Sequence, residues 1–297
     1  MDPAVITAMV TPEVGEGRRR RRTLRRLLSH RSFLAGSVVL VVLAVVVAAG
    51  PALAPADPLA IDPAIRLETP GLAHWLGTDH LGRDLLSRIL YGARYSVAVG
   101  LGAIAVGAIV GWLVGATSGY YAGRLGLVLG GLIEVFLAFP MELVALAMVS
   151  VTGAGLQNVV LAISVSVWPR IARVIRGEVL RVRELEYVEA ARVVGATTRR
   201  IMWRHILPNV LAPLIVSLTF YVGSAILVEA ALSFLGLGVP PPTPTWGNIA
   251  NDSRKYLVIS PWGMMFSGTA IGITVLSLNL VGDGLRDLFD PRLQNRG

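Results

Sequence analysis

Long apolar runs recur along this chain and constrain its fold more than any other feature. Each holds roughly 20 residues or more, enough to cross about 30 Å of hydrocarbon as an α-helix. We place them at Phe33–Ala52, Ser96–Ser118, Leu125–Val151, Gly155–Val174, Val210–Leu232 and Trp262–Val281. A mean hydropathy of +0.65, with only 15% charged residues, lies outside the range of ordinary soluble domains. The sequence therefore predicts an all-α integral membrane protein with six transmembrane helices.

The basic residues predict how these helices are oriented. Of 27 Lys and Arg residues, 21 lie at 18–31, at 124, at 170–204 and after 281, whereas the segments 53–95 and 233–261 hold six. Cytoplasmic loops carry an excess of Lys and Arg, so we expect both termini to be cytoplasmic. The predicted divisions are a basic cytoplasmic tail (1–32), a first transmembrane helix (33–52), an extracytoplasmic segment (53–95), a core (96–283) with a cytoplasmic loop (175–208) and an external loop (233–261), and a cytoplasmic tail (284–297).

Two other interpretations of the N-terminal region are disfavoured. The arginine run Arg18–Arg22 directly precedes an apolar span and contains no aromatic residues, so it is typical of a topology anchor that also attracts anionic lipid, not of a nucleic-acid site. Ala52–Ala54 looks like a signal-peptide cleavage site. However, the preceding apolar run is longer than a typical signal core, and further spans follow it.

The composition also excludes several kinds of chemistry. The chain has no cysteine, so disulfides, thiolate metal sites and cysteine nucleophiles are absent, and its four histidines are too scattered to predict a metal site. No phosphate-binding G-x-x-x-x-G-K-[ST] loop occurs. No acid–base or nucleophile constellation lies at a span end, so we expect no catalytic residue, no bound cofactor and no enzymatic activity. If ATP drives this protein, another subunit must bind the nucleotide.

The external segment ends in a pattern that predicts a short amphipathic helix in the outer interface. Leu81, Leu85 and Ile89 share one face, while Asp84 and Arg88 form an i,i+4 pair on the other. Thr78 or Asp79 is available to cap its start. A plain connector helix is the alternative.

Small residues and prolines predict details of the spans. The second span carries Gly107, Gly111, Gly115 and Gly119 at four-residue spacing, which predicts close packing of a neighbouring helix. Pro140 predicts a kink in the third span, and Pro208 is a favourable first-turn residue with which the fifth span is expected to begin. The fourth span is expected to continue as a helix through Arg183.

Three carboxylates fall within predicted spans: Glu134, Glu142 and Glu229. A charged, unpaired carboxylate at membrane depth is costly and is a candidate functional group. These residues are consistent with an ion or substrate pathway, including that of a secondary transporter. They are equally consistent with protonated or paired structural groups.

A polar, Arg-rich segment separates the fourth and fifth spans. Glu184–Val194 is predicted to form a helix with Leu185, Val188, Ala191 and Val194 on one face, and Gly195 is predicted to end it. Thr197 or Thr198 would then cap a second helix over residues 199–206. The small Ala190 and Ala191 allow close seating in a partner's groove, and Glu189 offers a charge-assisted hydrogen bond. An ordinary connecting loop is the alternative.

This segment has the spacing E-A-A, three residues, G, then ten residues to I-L-P, which resembles the ATPase-coupling motif of ABC-importer permeases. Over residues 76–293 the chain resembles the second permease subunit of dipeptide, oligopeptide and nickel importers. The motifs that carry this resemblance are Leu76–Asp79, Gly82–Asp84, Tyr91–Arg94, Trp168–Pro169, Val174–Leu180, Glu189–Ala191, His205–Asn209, Glu229–Gly238, Pro242–Gly247, Gly282–Asp287 and Asp290–Arg292. Glu142 departs from the pattern, which predicts an uncharged residue there.

The resemblance implies a type I importer fold in a bacterial inner membrane. It implies a homologous sister permease, two cytoplasmic ATPases that bind ATP and magnesium, and an external solute-binding protein. The implied coupling residues are Glu189, Ala190, Ala191, Arg192, Gly195 and Pro208. The implied substrate is a dipeptide or oligopeptide; a nickel chelate, glutathione and haem are the alternatives.

The external loop 233–261 is rich in proline and contains one tryptophan, Trp246. Prolines stiffen the loop and leave backbone groups unpaired, so we expect it to lie in water or against another protein. Pro242, Trp246 and Asn248 are thus predicted to border the external gate, with Trp246 anchoring the docked binding protein. An interfacial aromatic belt is the alternative role for Trp246.

Overall fold

The computed structural model describes residues 31–289, which form ten α-helices and no β-strand beyond an isolated bridge between Thr78 and Asp84. The helices are α1 (Arg31–Leu53), α2 (Leu85–Tyr120), α3 (Arg124–Leu137), α4 (Met141–Thr152), α5 (Leu156–Arg183), α6 (Glu186–Val193), α7 (Thr198–Ile201), α8 (Leu207–Phe234), α9 (Trp246–Arg254) and α10 (Trp262–Phe289). A 3₁₀ turn spans Pro63–Ile65, and a π-helical segment, Met202–Ile206, joins α7 to α8.

Five of these helical segments are long and apolar enough to cross a membrane: α1, α2, α5, the continuous stretch Thr198–Phe234, and α10. A sixth span is counted if α3 and α4, which are bent by 86° to each other, are taken together. The predicted all-helical, multi-span class is therefore confirmed. The prediction of a single, kinked third helix is wrong, because the helix is interrupted at residues 138–140.

The predicted glycine stripe packs α2 against α5. A Cβ atom at Gly107 would lie 2.6 Å from Val167 Cγ1, and one at Gly115 would lie 2.5 Å from the carbonyl oxygen of Ala172. A Cβ atom at Gly111 or Gly119 would also lie within 3.0 Å of α5. The prediction of close helix packing is confirmed, since a side chain at any of these four glycines would collide with α5.

The predicted amphipathic helix before the second span is wrong. Residues 81–84 are not helical; α2 begins at Leu85 and continues without interruption to Tyr120. Its cap is Asp84, whose carboxylate accepts from the Ser87 amide at 2.8 Å, and neither Thr78 nor Asp79 serves. A capping Asp84 points back at the helix start. It therefore does not form the expected surface pair with Arg88.

Two other helix boundaries also bear on the site. The fourth span continues through Pro169 to Arg183 as one helix, as predicted. Pro208 lies in the first turn of α8, as predicted, although helical backbone continues into that turn from Thr198 through the π-helical segment. The π-helical geometry of Met202–Ile206 interrupts the α-helical hydrogen-bond pattern just before the proline, which lacks an amide hydrogen.

Candidate coupling and transport sites

The segment between the fourth and fifth spans forms a compact projection, which we call the knob (residues 186–206). Its first helix, α6, is slightly shorter than the predicted 184–194. Gly195 ends it with φ of +84°, a left-handed conformation that glycine adopts without strain. The Thr197 hydroxyl then accepts from the Arg200 amide to cap α7. The predicted pair of short helices joined at a glycine is confirmed.

Few contacts hold α6 to the rest of the protein. Val188 is its one buried residue. The guanidinium of Arg192 lies 5.5 Å from the ring centre of Tyr120 at the end of α2. Asn209 Nδ2 donates to the Tyr187 hydroxyl at 3.1 Å, which ties α6 to the start of α8.

The opposite surface of the knob is open. Glu189 and Ala190 are exposed, and Val193 and Val194 are 83% and 87% exposed. Of the four residues predicted to share one face, Val188 is buried and Ala191 is half-buried. Leu185 and Val194 are exposed because they lie in the caps, beyond the helical turns. The knob thus presents an apolar tip beside a carboxylate.

The three carboxylates of the predicted spans lie in different environments. Glu134 is exposed on α3, and its Oε2 accepts from Arg173 Nη2 at 2.6 Å. Glu142 is exposed in the first turn of α4, just past the helix break. Its position there explains how a charge fits after Phe139–Pro140, since a carboxylate at a helix N-terminus is favoured by the helix dipole. Only Glu229 is fully buried.

Glu229 is the centre of a polar network between three helices. Its carboxylate accepts from Ser96 Oγ of α2 at 3.2 Å and from Ser233 Oγ of α8 at 2.8 Å. Ser96 Oγ in turn accepts from the backbone amide of Trp246, at the start of α9, at 3.1 Å. Glu229 is thus hydrogen-bonded within the subunit, the arrangement expected for the structural alternative that the sequence left open.

The expected exposed position of Trp246 is wrong, and so is the alternative of an interfacial belt. Its indole is 2% exposed and donates through Nε1 to the carbonyl of Ile89 at 3.1 Å. Asn248 is also buried, and its amide donates to the Val239 carbonyl, whereas Pro242 is exposed. The loop folds back because Trp246 begins a helix, α9, that no proline pattern predicted.

A largely buried group of charges, which the sequence did not mark as a site, joins α9 to the external segment. We call Asp79, Arg83, Arg88 and Asp252 the ion cluster. Arg83 Nε donates to Asp79 at 2.7 Å, Arg88 also donates to Asp79, and both arginines reach Asp252 at 3.2 and 3.1 Å. It joins the external segment, the start of α2 and α9.

The electrostatics of Asp79 explain why this burial is tolerated. Burial by itself would raise its pKa, but Arg88 and Arg83, with the amides of Arg83 and Leu81, outweigh that effect and lower the pKa below its usual value. The motifs Leu76–Asp79 and Gly82–Asp84 pointed to this region. Nothing in the sequence identified Asp252, more than 160 residues away, as their partner.

Asp79, His80 and Asp252 place ligand atoms within 4.8 Å of one another, which is the geometry of a possible metal site. However, both carboxylates already accept hydrogen bonds from the two arginines. The guanidinium groups supply the positive charge that a metal ion would bring. The residues therefore fit an ion-pair network better than a metal centre.

Comparisons with known proteins agree with this architecture. Residues 103–295 match the family described as "Binding-protein-dependent transport system inner membrane component", and residues 19–70 match the N-terminal transmembrane domain of oligopeptide transport permease C. A putative peptide transport system permease protein of Brucella abortus biovar 1 is 44% identical over 275 residues, which cover 93% of each chain.

Two further relatives carry related names. The dipeptide transport system permease protein DppC of Alkalihalophilus pseudofirmus is 38% identical over 93% of this chain and 90% of the relative. The glutathione transport system permease protein GsiD of Pectobacterium atrosepticum is 44% identical over 77% of this chain and 76% of the relative.

A solved inward-facing structure of the MetNI methionine ABC transporter shares the fold. It aligns with a TM-score of 0.56 at 21% identity, over 69% of this chain and 97% of that chain. This match confirms the predicted type I importer fold for the core. With a family match over most of the chain and close relatives along nearly its full length, this chain belongs to the inner-membrane component family of binding-protein-dependent transport systems and is a multi-pass inner-membrane permease subunit.

Proposed function

We propose that this chain is one of two permease subunits of an ATP-driven importer that moves dipeptides or oligopeptides into the cytoplasm. The substrate class is supported by relatives named for peptide, dipeptide and glutathione transport, since glutathione is itself a tripeptide. The sister permease would be homologous and would complete the path. ATP and magnesium would be bound by two separate ATPase subunits.

The exposed tip of the knob carries this proposal. Val193 and Val194 are almost completely exposed on a small projection that Val188 and a few polar contacts hold in place. Clustered apolar side chains beside a carboxylate are typical of a surface that a partner covers. A groove on an ATPase subunit would bury both valines and pair a cation or amide with Glu189. Ala190, Ala191, Arg192, Gly195 and Pro208 would shape and support this contact.

On the opposite side of the membrane, an external solute-binding protein would deliver the peptide. Pro242 is exposed and would lie at this contact. Trp246 and Asn248 would act from inside the subunit by holding the loop on α9, because both side chains are buried. Closure of the ATPases would move the knobs of both permeases and switch the path between its two open states.

The test is peptide uptake by the reconstituted complex with Glu189→Lys. A cation in place of the proposed acceptor should reduce uptake about tenfold or more, the order expected for loss of a charge-assisted contact. The ATPase should also co-purify less well. Glu184→Lys is the control, because that carboxylate is exposed just outside α6 and pairs with Arg183 of this subunit.

Normal uptake by the Glu189→Lys complex would contradict the coupling assignment. If the wild-type complex imports glutathione, a nickel chelate or haem but no other peptide, the permease assignment stands and the substrate is corrected. Competition for the cognate binding protein separates these substrates directly.

A further inference from the structure

The break between α3 and α4 leaves irregular backbone within a span. Ala138, Phe139 and Pro140 are all exposed, and the two helix axes differ by 86°. Non-helical backbone at membrane depth is tolerated only where other protein covers it or where it lines a water-filled cavity, because lipid cannot satisfy its polar groups. The break is therefore either covered by other protein or exposed to a water-filled cavity.

Two charged side chains are exposed near the break. Arg173 and Glu134 form their ion pair with side chains that are 59% and 53% exposed. Arg173 lies about 15 Å from the C-terminal end of α5 and about 25 Å from its other end, at 1.5 Å per residue, in the last turn of the predicted span 155–174. An ion pair at the end of a span faces water or another protein, not the lipid tails.

Both features open into one cleft. It has a volume of about 580 Å³ and is lined by Glu134, Leu137, Ala138, Arg170, Arg173, Val174 and Tyr221. Arg170 and Tyr221 each lie halfway along their helices, α5 and α8. Within residues 31–289, Arg170 has no ion-pair or hydrogen-bond partner. The cleft thus combines a free guanidinium, an exchangeable ion pair and the end of a helix.

We propose that this cleft is a transient binding site for the charged termini of a peptide on its way across the membrane. The inference rests on the proposed peptide import and deepens it by naming the residues that contact the substrate. A short peptide with free termini carries one carboxylate and one ammonium group. Arg170 is placed to donate to the carboxylate, in the bidentate manner typical of arginine, and Glu134 accepts from the ammonium.

The existing ion pair is suited to weak, transient binding of a substrate and not to tight binding. An exposed Arg–Glu pair is worth at most about 1 kcal/mol, so Glu134 can exchange Arg173 for a peptide ammonium at little cost. Binding that competes with an internal partner is weak. Weak binding is required along a path, because a substrate must leave as readily as it enters.

The first experiment asks whether water reaches the cleft. Because the chain has no cysteine, Ala138→Cys gives this subunit a single thiol. In the assembled transporter in nanodiscs, a cationic methanethiosulfonate should label this thiol, since the reagent needs the thiolate that forms in water. Ala145→Cys is the control, because that position on α4 is fully buried. Absence of labelling at position 138 would overturn the proposal.

The second experiment asks whether Arg170 recognises the peptide carboxylate. Dialanine should protect the Ala138→Cys thiol at a concentration about tenfold lower than dialanine amide does, and Arg170→Gln should abolish that preference. Arg181→Gln is the matched control, an exposed arginine that pairs with Glu178 outside the cleft. Equal protection by the two compounds when Arg170 is present would overturn the assignment.

Two other outcomes are distinguishable. If Arg170→Gln lowers the yield of assembled complex while Arg181→Gln does not, the cleft is covered by the sister permease and the site is wrong. Uptake of dialanine by the wild-type complex is measured in parallel. If uptake occurs but neither labelling nor protection does, the cleft proposal fails and peptide import stands; if no peptide is imported, both fall.

Discussion

The knob and the ion cluster lie near opposite ends of the same helices and are built in opposite ways. The knob exposes Val193 and Val194 and has a single buried residue in its first helix. The ion cluster places Asp79, Arg83 and Arg88 in positions that are each less than 10% exposed, with every charge close to an opposite one.

This difference distinguishes a surface that a partner would cover from a cluster whose charges are already paired within the subunit. Apolar side chains in water contribute little to the stability of their own subunit, whereas a buried charge without its partner costs several kcal/mol. Substitutions in the ion cluster should therefore lower the stability of the folded protein. Substitutions at the tip of the knob should reduce transport.

The largest expected effect is that of Asp79→Ala. It leaves Arg83 and Arg88 buried with Asp252 alone, and removing one partner of a buried ion pair costs about 3–5 kcal/mol. We expect the melting temperature of the purified complex in detergent to fall on the order of 10 °C. Asp57→Ala, at an exposed carboxylate of the same segment, should leave it unchanged. Equal effects of the two substitutions would remove the contrast between the regions.

A smaller effect is expected from pH. Burial lowers the pKa of His80 below its usual 6.5, against the opposing influence of Asp79 and Asp252. The folded state therefore keeps His80 neutral where the unfolded chain binds a proton. Its contribution to stability is complete above about pH 6.5 and is lost as the pH falls below that value.

The measurement is the melting temperature of the complex at about pH 7.5 and pH 5.5, compared between the wild type and His80→Gln. The wild type should lose a few degrees more than the variant on acidification. An equal loss in both would show that another group causes the pH dependence.

The smallest effect on stability should come from Val194→Ser. This side chain is 87% exposed, so the free energy of unfolding should change by about 0.5 kcal/mol or less, while peptide uptake should fall severalfold. Val188→Ser is the matched control within α6, the helix that Val194 caps; burial of Val188 is complete, and about 2 kcal/mol of apolar burial is lost. Unchanged uptake by Val194→Ser would mean that the tip does not meet a partner.

The predictions from sequence succeeded where local chemistry decides the outcome. The glycines at positions 107 to 119 predicted close packing of α2 against a neighbouring helix, which is α5, and Gly195 predicted the end of α6. They failed where a distant residue decides. Asp84 was expected to pair with Arg88, but Arg88 turns to Asp79 and Asp252, and Trp246 is buried against a carbonyl on α2.

The sequence by itself determined the membrane class, five of the six predicted spans and the position of the knob, because hydrophobic length, glycine spacing and helix-capping residues act over a few turns of chain. Only the tertiary structure decided that the third span breaks by 86°, that Glu229 is enclosed by serines, and that Glu134 and Arg170 share a cleft. These outcomes depend on which segments become neighbours, and burial of a charge is tolerated only where the fold supplies it with a partner.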